Sequence, residues 1–178
     1  MLIYLTVSDP KKMKKIKAWE QGQLSKDDVI TGIRVFDCYM VDCASLKKDD
    51  VILEKIKKAR APGFYIFYDG KLISKADGMP KANTIFSCLK KCVSKVYKTD
   101  LGKIVRKVLE IKKEIVKIED KKSLLQQKIA RLKDDEKAKK KPLAELNTLL
   151  AKEGELNTKI DTLLDLEATK QKKKVAKK

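Results

Sequence analysis

One pattern constrains this chain more than any other. Leu101, Ile104, Val108, Ile111, Ile115, Ile118, Lys122, Leu125, Ile129 and Leu132 follow one another at alternating intervals of three and four. That spacing keeps one stripe of a helix apolar through many turns, and such a stripe is stable only against a second surface. With Leu101 at position a, the a series is Leu101, Val108, Ile115, Lys122 and Ile129. The d series is Ile104, Ile111, Ile118, Leu125 and Leu132. One seam position is therefore a lysine.

A weaker series follows at Leu146, Leu149, Glu153, Leu156, Ile160 and Leu163, and its seam exception is Glu153. Residues 133–141 hold no apolar side chain larger than Ala, and Pro142 comes next, where a first helical turn tolerates it. The pattern predicts a turn over 133–141 and two helices folded back antiparallel. That arrangement brings Lys122 into or beside the layer of Glu153. A parallel dimer would set Lys122 against its own copy, so a monomer is favoured over a coiled-coil dimer. Gly154 weakens the second helix by about 1 kcal/mol relative to Ala.

The chain has 178 residues, 38% of them charged, and a formal net charge of +18. The charged fraction is well above the ordinary quarter and fits exposed helix. There is no histidine, which removes the usual general base, metal ligand and pH switch. Lys greatly outnumbers Arg, which suits diffuse attraction better than bidentate recognition. The apolar run at 2–7 is too short for a signal peptide core or a membrane span. The expectation is a soluble, cytoplasmic protein with no membrane role.

Residues 1–98 read as strand, helix, strand, helix, strand, strand, helix. The first strand is 2–7. Ser8 or Asp9 caps a helix that has Pro10 just inside and Met13, Ile16 and Trp19 on one face, and that ends near Gly22. A short helical piece over 24–30 follows, capped at Ser25. The second strand is 33–42, mostly apolar, as a strand buried on both faces should be. A helix over 50–61 has Val51, Ile52, Leu53 and Ile56 as its apolar side. The third strand is 63–68, Asp69-Gly70 is a hairpin turn, and the fourth strand is 71–76. A helix runs from Met79 or Pro80 to Tyr97, and Thr99 or Asp100 caps the next.

The strings Val41-Asp42, Ala61-Pro62-Gly63-Phe64-Tyr65-Ile66-Phe67, Asp69-Gly70-Lys71 and Asp77-Gly78 occur in an order and spacing that resembles a thioredoxin-like domain. Trp19-Glu20 followed by Leu24-Ser25 and Val29 resembles its members with a longer segment before strand two. The resemblance covers 1–98. It implies a cis bond at Ala61–Pro62 and a groove beside it that holds extended peptides. It would also place a Cys-x-x-Cys pair at the first helix, where the helix end lowers a thiol's pKa. This chain has Ser8-Asp9-Pro10-Lys11 there, and no cysteine lies before Cys38. The resemblance is to a redox-inactive member.

The four cysteines do not repair that loss. Cys38 and Cys43 fall on opposite faces of a strand, beyond disulfide reach. Cys88 and Cys92 share a helix face whose rigidity disfavours a bridge. The set lacks zinc-type spacing, and buried, structural thiols are expected. No metal or cofactor is implied.

The C-terminus, Lys170, Gln171, Lys172, Lys173, Lys174, Val175, Ala176, Lys177 and Lys178, has one large apolar side chain and cannot fold alone. Its six lysines are candidate polyanion ligands, without the aromatics or arginines that stacking and base readout need.

The fold class expected is α/β: a thioredoxin-like three-layer sandwich over 1–98, an antiparallel α-helical coiled-coil hairpin over 99–168, and a disordered basic tail over 169–178. The function expected is a non-catalytic adaptor or assembly protein with a protein partner. A nucleic-acid- or ribosome-associated basic protein is the second reading. A thiol–disulfide oxidoreductase with displaced cysteines is the third.

Overall fold

The computed structural model describes residues 1–47, 50–56, 60–132 and 135–167. The tail candidates Lys170, Lys172, Lys173, Lys174, Lys177 and Lys178 lie outside the described residues. So do positions 57–59 of the helix expected over 50–61, the side chains of Ile52 and Leu53, and positions 133 and 134 of the expected turn.

The chain divides into two compact units. One is Met1–Val105 with the described residues after Asp165, and the other is Arg106–Asp165. The first contains β1 (Leu2–Thr6), α1 (Pro10–Gln23), α2 (Asp27–Ile33), β2 (Cys38–Asp42), a single 3-10 turn (Cys43–Ser45), α3 (Val51–Lys55), β3 (Gly63–Tyr68), β4 (Lys71–Asp77) and α4 (Ala82–Tyr97). The sheet order is β2-β1-β3-β4. β1 and β2 are parallel, and β3 is antiparallel to both β1 and β4.

The alternation of side chains along β1 and β3 sets the two faces. Ile3, Leu5, Tyr65 and Phe67 pack with Ile56 on one face. On the other, the Tyr4 ring stacks on Phe64, centroids 4.9 Å apart, and on Trp19 of α1 at 6.4 Å. Trp19 donates its indole N–H to the Pro80 carbonyl at 2.9 Å, tying α1 to the entry of α4. α4 then buries Ile85, Leu89 and Val93. Each such fully buried side chain contributes roughly 1.5–3 kcal/mol.

Local signals explain most starts and stops. Asp9 caps α1 by accepting from the Lys11 N–H at 3.0 Å. Asp69 (φ 49°) and Gly70 (φ 68°) have the paired positive φ of a tight hairpin. Gly63 is required by close approach: a Cβ there would stand 2.7 Å from the Arg60 carbonyl oxygen and 2.8 Å from Asp77 Cα. Ala61–Pro62 is cis.

Four expectations are corrected. The second strand begins at Cys38, not Ile33, because Ile33 closes α2. It is not buried on both faces: it is an edge strand, and Cys38, Tyr39 and Met40 are exposed. α2 starts at Asp27 after Lys26, without a side-chain cap, since the Ser25 hydroxyl donates back to the Gln21 carbonyl. Cys38 is exposed rather than buried.

The second unit takes in most of α5 (Leu101–Arg131) and α6 (Glu136–Leu164). Asp100 caps α5, accepting from Gly102 N–H at 2.8 Å. The buried positions of α5 follow the three-four spacing at Leu101, Val108, Ile111 and Ile118. At its start Val105 is buried where the heptad would place Ile104. Lys122 donates to the Glu153 carboxylate, so the middle of α5 meets the middle of α6. The expected turn over 133–141 is shorter. Asp135 accepts from Ala138 N–H at 3.0 Å and starts α6 at once. Pro142 therefore lies inside the helix and is buried. Among the described residues no helix is long and apolar enough to cross a membrane.

Candidate functional site

The register places the C-terminal ends of β1 and β2 and the N-terminal end of β3 at one end of the sheet. Thr6 pairs with Asp42, Leu5 with Gly63, and Gly63 with Asp77. The residues singled out in the sequence, Ser8, Asp9, Pro10 and Lys11 on one side and Ala61 and Pro62 on the other, both flank that end.

Ser8 is exposed and works structurally. Its N–H donates to Asp42 Oδ1 at 3.3 Å, and Ala44 N–H donates to the same oxygen at 2.9 Å. The Ser8 hydroxyl, the Ala44 N–H and the Ser8 N–H together hold the Asp42 carboxyl below its ordinary range. Asp9 spends its carboxylate on the helix cap, with Lys12 3.6 Å away. Pro10 and Lys11 are exposed. Pro62 is buried, and its carbonyl accepts from Gly78 N–H at 3.0 Å and Met79 N–H at 3.2 Å. Ala61 is half-buried. Below them the Tyr65 hydroxyl accepts from Arg60 N–H at 2.8 Å, and burial raises its pKa. These are ties that shape a sheet end.

Comparison with protein-family models, curated proteins and solved structures gives no match.

The thiols are held protonated. Burial pushes Cys92 up to about 11 and raises Cys88, whose S–H donates to the Ser74 hydroxyl at 3.0 Å. Cys43 is raised by burial and then by the charge of Asp42. Cys38 is exposed, but its sulfur approaches the Phe36 carbonyl at 3.2 Å, and burial of that sulfur raises it too. A thiolate nucleophile needs the opposite environment. Among the described residues no group of Cys, Asp and Glu is placed to hold a metal ion.

The feature that sequence reading missed is the edge of β2. Tyr39 is 55% exposed and Met40 75%. Among the described residues its outer backbone groups have no strand beside them, because β2 ends the sheet. The opposite edge strand, β4, carries Lys71, Lys75 and Asp77, whereas β2 carries a single charge, Asp42 at its end. Charge is how an edge is ordinarily kept from pairing, and the stretch from Cys38 to Val41 has none. Only the sheet order shows which side is open.

Proposed function

We propose that this chain is a non-catalytic adaptor or assembly protein, and that it binds an extended segment of a protein partner along β2. The observation that carries this is the open edge of β2, uncharged from Cys38 to Val41 and unpaired among the described residues, with Tyr39 and Met40 exposed on it. Strand addition supplies affinity through main-chain hydrogen bonds and specificity through alternate side chains. The partner segment should therefore be extended and apolar at every second residue.

The domain that presents this edge is, in our reading, thioredoxin-like and redox-inactive. Support comes from the element order, βααβαββα apart from one 3-10 turn, and from the sheet order β2-β1-β3-β4. Ser8 and Lys11 at the first helix leave no dithiol. We read α5 and α6 as an antiparallel coiled-coil hairpin, on the strength of the Lys122–Glu153 pair and the buried three-four positions. A cytoplasmic setting, where thiols stay reduced, suits the four free cysteines.

The test is a photoreactive amino acid at position 40, with one at position 116 as control, since Val116 is also an exposed apolar residue (54%). Position 40 should trap a discrete partner, and Tyr39→Asp in the same chain should abolish trapping. Equal trapping at 116, or trapping unmoved by Tyr39→Asp, would overturn the reading.

A further inference from the structure

The junction between α4 and α5 forms an open cleft of about 840 Å³. Its walls follow from local chemistry. α4 turns Ile85, Leu89 and Val93 inward, so Lys90, Lys91, Ser94 and Lys95 stand outward. Lys98 takes the left-handed conformation (φ 53°), and its N–H donates to the Ser94 carbonyl at 3.2 Å, which ends α4. Two residues later Asp100 caps α5. The chain thus reverses over 98–100 with Lys98 at the bend. Lys90 reaches across to the first turn of α5, its ammonium 3.7 Å from where a Cβ on Gly102 would stand.

Four ammonium groups, of Lys90, Lys91, Lys95 and Lys98, line this cleft against one carboxylate, Asp100. That carboxylate already accepts from Gly102 N–H and Lys103 N–H. The remaining lining includes two hydroxyl residues, Ser94 and Thr99, and no aromatic ring. This chemistry attracts anions and offers nothing to stack or read a base.

Size and shape decide between a small anion and a polymer. From Lys90 to Lys98 is eight residues, about 12 Å at helical rise. A nucleic-acid strand in a duplex carries a phosphate roughly every 3.4 Å of axis, so three or four phosphates match that length. A single phosphate would fill a fraction of the cleft. The cleft is open, as a passing strand needs, and the chain's net charge of +18 steers a polyanion toward it. We propose that the α4–α5 cleft binds the phosphodiester backbone of a nucleic acid, without sequence preference, through Lys90, Lys91, Lys95 and Lys98. This is separate from the β2 edge and stands whether or not that edge binds a protein.

The test uses the full chain and fluorescein-labelled 20-nucleotide RNA and DNA strands, with anisotropy measured from 50 to 300 mM salt. The charge-removing variant is Lys90→Gln, Lys91→Gln, Lys95→Gln and Lys98→Asn combined, with Asn chosen for the left-handed position. It should lower the log–log salt slope by about 3 units and weaken binding of both strands at 100 mM salt roughly 10- to 100-fold. The matching Lys→Arg variant should keep the wild-type slope, which separates lost charge from lost fold. Deleting 170–178 should leave those 3 units in place. An unchanged slope in the charge-removing variant would overturn the proposal. So would an equal loss in the Lys→Arg variant, or displacement of the strand by inorganic phosphate at equal ionic strength.

Discussion

The Lys122 ammonium donates to the Glu153 carboxylate across 31 positions of chain, with both side chains about four-fifths buried (18% and 20% exposed). The two polar exceptions in the two apolar seams thus satisfy one another. Removing either should leave an uncompensated charge in a largely dry place. Lys122→Met and Glu153→Met should each cost about 1–3 kcal/mol in urea unfolding. The double variant should recover most of that or exceed the wild type, since replacing both charges by apolar groups removes the desolvation cost. Strictly additive losses would show that the pair contributes nothing as a pair.

The Asp42 carboxyl is held low by the Ser8 hydroxyl first, then by the Ala44 and Ser8 N–H groups. A depressed folded-state pKa contributes stability above the ordinary carboxylate value of about 3.9, and that contribution is lost as pH falls through the folded value. Ser8→Ala should move the Asp42 titration, followed by carboxyl NMR, up toward the ordinary range. No movement would mean that the Ser8 hydroxyl does not hold the carboxylate.

Much of this was legible in the sequence because the signals are local. Asp9-Pro10 begins α1, Asp69-Gly70 turns the hairpin, and the spacing from Leu101 runs through α5. Other features depend on what lies beside a segment. Ile33-Arg34-Val35-Phe36 is rich in β-formers, yet Ile33 belongs to α2, whose Val29, Thr31 and Gly32 are buried. The exposure of Tyr39 and Met40 follows from β2's place at the sheet edge, which no residue in β2 encodes. Pro142 suggested a helix start, but Asp135 offers an earlier cap. The lysine cleft needed the left-handed bend at Lys98, where a non-glycine gives little warning.

Cysteine chemistry offers a third check. With dithiothreitol and a disulfide-bonded protein substrate, the chain should reduce no faster than dithiothreitol alone, because no thiol stands at Ser8 or Lys11. At neutral pH iodoacetamide should modify Cys38 slowly, and Cys88 and Cys92 only on unfolding. Turnover that vanishes in Cys38→Ser or Cys88→Ser would contradict this.

Cys92 adds an alkaline limb. Its folded pKa is raised from 9.0 to about 11, chiefly by burial. A raised value means that its contribution is whole below about 9 and is lost as pH climbs through about 11. Cys92→Ala should cost on the order of 1–2 kcal/mol at pH 8, and less at pH 10.5, where the wild-type thiol has begun to pull toward the unfolded chain. A pH-independent difference would show that the thiol's burial is not coupled to its proton.

The measurement closest to the central claim is amide hydrogen exchange across Cys38–Asp42, on the full chain alone and with the partner trapped at position 40. Strand addition should slow exchange in β2 roughly tenfold or more while leaving Lys71–Asp77 unchanged. Unchanged exchange in β2, with protection appearing elsewhere, would contradict the account.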